Sequence, residues 1–106
     1  MKSDLENIKT IFENMSSDKW DINNDLTWGF FFVAKDAKKL KDVFEQLKGE
    51  GYKQVTFDKG EDGLWTMQVS KRETLTPEKL HKRNLAFNEL AAYCEVELYD
   101  GWDVEQ

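Results

Sequence analysis

The hydrophobic and polar positions divide this chain into short segments of different period, and the most apolar segment runs from Trp28 to Ala34. It contains no charge, and both of its alternating sets of side chains are largely apolar, since Phe31 and Val33 form the second set. Apolar side chains on both faces predict a strand that is buried on both faces, as in the middle of a sheet. A buried helical segment is the alternative, but three consecutive phenylalanines favour a strand.

A helical pattern precedes this strand. Ser3 and Glu6 have the spacing of a capping box, which predicts Ser3 as the N-cap. Apolar residues then recur at helical spacing as far as Met15, and they are Leu5, Ile8, Ile11, Phe12 and Met15. We therefore expect residues 1–19 to form an N-terminal helix and linker, and residues 20–106 to form the main domain.

Two further segments have the helical period. Asp36 predicts the start of a helix that buries residues as far as Leu47 and ends at Gly49 and Gly51. The longest helix is expected to start at Thr76, which is followed by a proline. Its predicted inner side consists of Leu80, Phe87, Leu90, Ala91 and Cys94, and its outer side includes His81 and Leu85.

Three other segments alternate with the period of a strand. Residues 52–58 and 64–71 flank the turn-forming residues 59–63, which predicts a hairpin. In the hairpin we expect Val55 and Phe57 to share one face. The inner face of its second strand should carry Trp65, Met67 and Val69. A last strand is predicted from Glu95 to Tyr99, and its inward residues should be Val96 and Leu98.

This order of elements, one helix and then β-α-β-β-α-β, predicts an α+β fold. It is the order of the ferredoxin-like sandwich, in which a four-stranded antiparallel sheet carries two helices on one face. The N-terminal helix is then an addition to that fold. The first strand is expected in the centre of the sheet, and the second face of the sheet needs a cover. Either the N-terminal helix or a partner chain could supply it.

Charge is distributed unevenly along the chain, whose net charge is −6. Residues 95–106 contain five acids and no base, whereas residues 71–83 contain five bases and two acids. An acidic end repels nucleic acid and suits a basic protein partner. The single cysteine excludes an internal disulfide, and no apolar run is long enough to span a membrane. We expect a cytoplasmic protein without membrane contact.

The sequence offers little that would support catalysis. His81 is predicted on the polar side of its helix and Cys94 on the buried side, so no base lies within reach of a nucleophile. Asp100, Asp103 and Glu105 could gather around a cation, but they lack the spacing of an EF-hand. No phosphate-binding loop is present. We expect neither an enzyme nor a metal or cofactor.

Direct binding of RNA is a further possibility, because RNA-recognition modules share this topology and stack bases on the central strands. Phe31 could offer such a ring, but the strand from Leu64 to Val69 lacks the usual motif. The negative net charge also opposes contact with phosphates. We therefore expect no direct partner among nucleic acids.

The end of the chain resembles a known family. Residues Tyr99–Trp102, which read Tyr-Asp-Gly-Trp, resemble the closing signature of the regulator of ribonuclease E activity B (RraB) family. The Gly51-Tyr52 junction, the Asp62–Trp65 hairpin and the helix after Thr76 are similar in order and spacing. The resemblance covers about residues 20–103.

This resemblance implies an α/β sandwich of ferredoxin-like type. It also implies a non-enzymatic regulator that binds ribonuclease E and restrains its activity. The alternative is an immunity protein that neutralises a nuclease toxin, because such proteins are also small, acidic and without catalytic residues.

The partner-binding residues are expected in the same stretch, and they are Tyr99, Asp100, Trp102, Asp103 and Glu105. The acids would steer the encounter, and the ring of Tyr99 would point outward and supply the contact. A structural role for the motif is the alternative. In that case Gly101 would adopt a positive φ, Asp100 would cap a turn and Trp102 would seal the core.

Overall fold

The computed structural model describes residues 1–106 and contains three α-helices and four β-strands. In chain order they are α1 (Leu5–Ser17), β1 (Leu26–Ala34), α2 (Ala37–Leu47), β2 (Lys53–Lys59), β3 (Trp65–Glu73), α3 (Pro77–Tyr93) and β4 (Leu98–Glu105). The strands form one antiparallel sheet in the order β2-β3-β1-β4. The prediction of an α+β sandwich with β1 in the centre of its sheet is confirmed. None of the helices is both long and apolar enough to cross a membrane.

Two helices begin at the caps that the sequence predicts. The side chain of Asp36 accepts a hydrogen bond from the backbone N–H of Lys38 at the start of α2. The hydroxyl of Thr76 accepts one from Lys79 at the start of α3. After α2 a short 3₁₀ turn leads to Gly51, whose φ of 91° ends the helical segment as expected.

The cap predicted for α1 is wrong. Asp4, not Ser3, is the N-cap, and its carboxylate accepts a hydrogen bond from the backbone N–H of Glu6. The Ser3 hydroxyl instead lies 2.8 Å from Nδ1 of His81. His81 is therefore half-buried under the N-terminal segment and is not the solvated surface residue that its helical position suggested.

All three helices cover the same face of the sheet. The ring of Phe12 in α1 stacks on Trp28 of β1, with 5.7 Å between the ring centroids. Phe87 in α3 packs against Phe30 and Phe32 on the same side of β1. One core of 20 buried residues includes side chains from α1, α2 and α3. The N-terminal helix therefore joins the two other helices and does not cover the second face of the sheet.

The second face, which we call the open face, is formed by the other alternating residues of each strand. Both β1 positions on it that carry large apolar side chains, Phe31 and Val33, are only half-buried. The prediction that both faces of β1 are buried is therefore confirmed for the helix side and wrong for the open face. The register places Thr66, Gln68, Ser70 and Arg72 of β3 on the open face, beside Thr27, Gly29, Phe31 and Val33 of β1.

Two irregular positions change which residues face the core. In β2 the register shifts between Gln54 and Thr56, so Val55 is an extra residue that reaches the open face. Phe57 packs against Trp65 on the helix side. Val55 is 53% exposed, and the prediction that it shares a face with Phe57 is wrong.

The second irregular position lies in β4, which continues six residues beyond the end predicted at Tyr99. Opposite the step from Phe31 to Phe32 the register shifts, which makes Asp100 an extra residue. Gly101 follows with a φ of 111°, a conformation that glycine adopts without strain. Leu98 is 40% exposed on the open face, so its predicted inward position is wrong, although Val96 is buried as expected.

The two sides of α3 agree with the predicted pattern except at its end. Phe87 and Ala91 are buried, and Leu85 is 46% exposed. Cys94 was expected to be buried, but it is the C-cap and is partly exposed. Burial nevertheless raises the pKa of its thiol, and the charge of Asp42 acts in the same direction.

Candidate protein-binding surface on the open face

The five residues predicted to bind a partner lie on two different sides of β4. Tyr99 and Trp102 face the helices, because they pair with Phe32 and Phe30 of β1, which are buried on that side. The acids have the opposite placement. Asp103 and Glu105 reach the open face, and Asp100 is exposed at the irregular position between the two aromatic residues.

Tyr99 is a core residue. It is 1% exposed, and its ring lies 5.2 Å from that of Phe32 and 5.5 Å from that of Phe87. Its hydroxyl donates a 2.6 Å hydrogen bond to Oδ1 of Asn84. Burial raises the pKa of the Tyr99 hydroxyl strongly, so it stays protonated. The prediction that this ring points outward is wrong, since the pairing with Phe32 turns it toward the helices.

Trp102 closes one side of the core. Its ring centroid lies 5.8 Å from that of Trp28, which is itself 1% exposed. Trp102 is half-buried, so one part of its indole still reaches solvent. Together with the positive φ of Gly101, this contact gives the Tyr-Asp-Gly-Trp motif a clear structural role.

The acids of the open face border a hollow of about 190 Å³. It is lined by Thr27, Gly29, Val55, Gln68, Ser70, Asp103 and Glu105, which come from all four strands. Gly29 forms its floor, and a Cβ atom at that position would collide with both Asp103 and Gln68. The missing side chain therefore allows the two polar groups to approach each other over β1, with Nε2 of Gln68 3.5 Å from Oδ1 of Asp103.

The environment of Asp103 disfavours its charge. Partial burial raises the pKa of its carboxyl, and the neighbouring charge of Glu105 raises it further. A backbone hydrogen bond with Gly29 acts in the opposite direction. A carboxylate that lies beside another carboxylate without a cation is favourably placed to receive a cation from outside the molecule.

Only one of the five C-terminal acids forms a salt bridge, a second is held by the backbone N–H of a lysine, and the other three have neither contact with a lysine. Glu95 lies 3.8 Å from the ammonium group of Lys39, and Glu97 accepts a hydrogen bond from the backbone N–H of Lys35. The structure contains three other salt bridges, and none of them involves the rest of the acidic stretch. We call the three unpaired acids the acidic rim, and they are Asp100, Asp103 and Glu105.

Next to the acidic rim lies a group of apolar side chains on the open face. Val33 and Leu98 are direct partners in the β1–β4 ladder, and Phe31 lies two residues along β1 on the same face. Opposite Phe31 the β4 residue is Gly101, which has no side chain. We call Phe31, Val33 and Leu98 the apolar patch. The patch lies at one end of the β1–β4 pair, and the rim continues from it along β4.

Sequence reasoning identified the acids but missed the surface they belong to. Thr66, Gln68 and Ser70 alternate with the buried residues of β3, and this polar alternation is the signal of a solvated face. Leu98 carried no comparable signal, because its direction depends on where β4 begins. No group of three or more histidine, cysteine or acidic side chains converges as metal ligands would.

The sequence was compared with known proteins. The model of the family described as "RraB: Regulator of ribonuclease activity B" matches residues 5–104. This match is longer than the resemblance found from motifs, because it includes α1. No significant match was found among curated proteins. The family match spans nearly all of the 106 residues, from the first turn of α1 to the second-last residue of β4. This chain therefore belongs to the RraB family, the regulators of ribonuclease activity.

Proposed function

We propose that this protein is a non-enzymatic regulator that binds a ribonuclease directly and restrains its activity, with the open face as the contact surface. The observation that carries the proposal is the acidic rim, whose three carboxylates lack cationic partners and lie on β4, the strand that also contributes Leu98 to the apolar patch. Membership of the RraB family supports the ribonuclease as the partner.

The charge of this surface suits a nuclease. Proteins that bind RNA present basic surfaces to its phosphates, and an acidic surface can occupy the same region. Asp100, Asp103 and Glu105 would steer the encounter, since charges at the border of an interface act mainly on the association rate. We name ribonuclease E as the partner, in the reducing cytoplasm, where the free Cys94 stays a thiol.

The short-range contact would come from the apolar patch. Tyr99 is buried and hydrogen-bonded to Asn84, so its role is to hold β4 in position from behind. Trp102 supports the same strand from the helix side, where it packs against Trp28. Leu98 takes the role of anchor, because it is the most exposed member of the patch, at 40%, and would be desolvated on binding.

Binding kinetics with purified ribonuclease E test this proposal. The variant Asp100→Asn/Asp103→Asn/Glu105→Gln should associate more slowly, and its association rate should depend less on salt. The matched control is Glu13→Gln/Glu61→Gln/Glu89→Gln, which removes the same charge from exposed positions elsewhere and should keep most of the association rate.

A second variant separates contact from steering. Leu98→Ser should speed dissociation and leave association nearly unchanged, because short-range contacts act on the dissociation rate. Leu85→Ser, at an exposed leucine of α3, is the control. If the rim variant, Leu98→Ser and the wild type bind with the same kinetics, the open face is not the interface. If the wild type neither binds nor inhibits ribonuclease E, the proposed partner is wrong, and nuclease toxins become the next partners to test.

A further inference from the structure

A second hollow of about 200 Å³ lies at the other side of the open face, where β2 begins. It is lined by Thr27, Gly51, Lys53, Ser70, Lys71 and Arg72. Every charged group in this lining is a cation, although acids outnumber bases by 21 to 15 in the whole chain. Two hydroxyl groups complete it. We infer that this hollow is a binding site for a single phosphate group, independent of the contact with a ribonuclease.

The backbone at the hollow is also open to a ligand. The β2–β3 ladder ends at the pair Lys53–Ser70, so β3 residues from Lys71 onward have no partner on the β2 side. Backbone groups on that edge still need hydrogen bonds. Gly51 lies beside this edge with a φ of 91°, and its missing side chain leaves room above Lys71. The site therefore combines side-chain donors with a free strand edge.

Two of the cations are held in place without being neutralised. The ammonium group of Lys71 lies 5.2 Å from the centre of the buried Tyr52 ring, on the helix side of β3, so it adds positive charge near the hollow without facing a ligand there. The Arg72 guanidinium donates a 3.3 Å hydrogen bond to the Thr27 hydroxyl, a contact that leaves its other N–H groups available. Neither cation forms a salt bridge, and the same is true of Lys53.

The nearest acid on β3 already has a cationic partner. Both carboxylate oxygens of Glu73 accept hydrogen bonds from the Arg83 guanidinium, at 2.7 and 2.9 Å. Its charge is thus matched by Arg83 and does not cancel the cations of the hollow. A phosphate in the hollow would accept hydrogen bonds from the Arg72 guanidinium, the Lys53 ammonium group and the Ser70 hydroxyl, which are donors that suit a tetrahedral oxyanion.

The neighbouring acidic hollow limits the size of the ligand. The two hollows share Thr27 and Ser70, and the acidic one carries Asp103 and Glu105 on its far side. A longer polyanion that crossed the sheet would meet these carboxylates within a Debye length of about 8 Å. The site therefore suits one phosphate group, either free or at the end of a small molecule, and opposes an extended nucleic acid.

Titration with inorganic phosphate, followed by amide chemical shifts, tests this site. Sodium chloride at equal ionic strength and pH is the reference. We expect saturable shifts confined to the residues around the hollow, chiefly Gly51, Ser70 and Arg72. In Lys53→Gln/Arg72→Gln the affinity should fall by about tenfold or more, because two charge-assisted contacts are lost. The same titration with adenosine monophosphate shows whether the bound group is free phosphate or the end of a nucleotide.

The control variant Lys38→Gln/Lys41→Gln removes the same charge from exposed positions of α2 and should keep the wild-type affinity. Both variants alter exposed side chains, and an unchanged spectrum outside the mutated regions reports that they are folded. Shifts that do not saturate, or an equal loss of affinity in both variants, would overturn the inference. Kinetics with ribonuclease E are not part of this test, so failure here leaves the proposed function untouched.

Discussion

Asn84 is the one polar side chain that is completely buried, and it organises a hydrogen-bond network between the N-terminal segment, α3 and β4. Its Oδ1 accepts from the Tyr99 hydroxyl at 2.6 Å, and its Nδ2 donates to the Ser3 hydroxyl at 3.2 Å. Ser3 in turn contacts His81. Every buried polar side-chain atom in the structure has a partner. This network explains why a tyrosine is needed at the start of the Tyr-Asp-Gly-Trp motif.

Removal of the Tyr99 hydroxyl should destabilise the fold. In Tyr99→Phe the Oδ1 atom of Asn84 stays buried without its donor, which typically costs about 1–3 kcal/mol. Urea denaturation measures the loss. Tyr93→Phe is the matched control, because Tyr93 is 78% exposed, and its stability should stay at the wild-type value. Equal stabilities of the two variants would mean that the buried hydrogen bond contributes nothing.

The ionised carboxylate of Asp103 should lower the stability of the folded protein. Its raised pKa means that the folded protein holds the carboxyl proton more tightly than the unfolded chain does, so ionisation destabilises the fold. The cost arises as the pH rises above the ordinary value of about 3.8, and it is fully present at neutral pH.

Asp103→Asn should therefore have a higher Tm than the wild type at pH 7. The difference should shrink toward zero as the pH falls below the ordinary pKa of an aspartate. Thermal unfolding followed by circular dichroism at several pH values measures it. Asp100→Asn, on an exposed residue of the same strand, provides the comparison. A lower Tm for Asp103→Asn at pH 7 would contradict the assignment of its raised pKa to burial and to Glu105.

At the scale of the elements, α3 is the helix on which most of the aromatic core depends. The ring of Phe87 contacts those of Phe30, Phe32, Tyr52 and Tyr99, with centroid distances between 5.0 and 5.7 Å. Two residues earlier, Leu85 points away from this core. The helix thus has one strongly apolar side and one exposed side, despite its mixed composition.

Truncation of the two side chains should have unequal effects. Phe87→Ala leaves a cavity among four aromatic rings and should cost about 3–5 kcal/mol. Leu85→Ala removes an exposed side chain and should cost less than about 1 kcal/mol. Chemical denaturation of both variants measures the difference. Losses of equal size would show that α3 is rotated relative to the arrangement described here.

At the scale of the whole molecule, the sheet is covered on one side only, and the charges on its open face are separated. The acidic rim lies on β4 at one edge, and the cations of the second hollow lie on β2 and β3. The apolar patch occupies the end of β1 and β4 beside the rim. The charge of this face therefore changes sign from one side to the other, although the net charge of the chain is simply negative.

The central strand should be the last part of the molecule to open. β1 is hydrogen-bonded to β3 on one side and to β4 on the other, so its amides exchange only when the sheet separates. Hydrogen exchange measured by NMR should give the slowest rates for residues of β1. The loop at residues 59–63 should exchange fastest. If β1 exchanged as quickly as this loop, the proposed sheet order would be wrong.

The sequence by itself determined the features that depend on local periodicity. The three helices, the central position of β1, the caps Asp36 and Thr76, and the two sides of α3 at Phe87 and Leu85 were all predicted correctly. Each follows from side chains that lie within a turn or a few residues of one another, where spacing alone decides which face is apolar.

Tertiary structure decided the directions of Val55, Leu98 and Tyr99. Val55 is itself the extra residue of β2, and β4 begins only at Leu98, so the alternation of Leu98 and Tyr99 does not continue from Val96. Both features depend on the register with a distant strand. Only the packing showed that α1 lies on the helix side. An apolar stripe indicates that one face of a helix is buried, but it does not indicate which part of the molecule covers that face. The hollows on the open face combine residues from strands that are far apart in sequence. Their chemistry exists only after the sheet has formed.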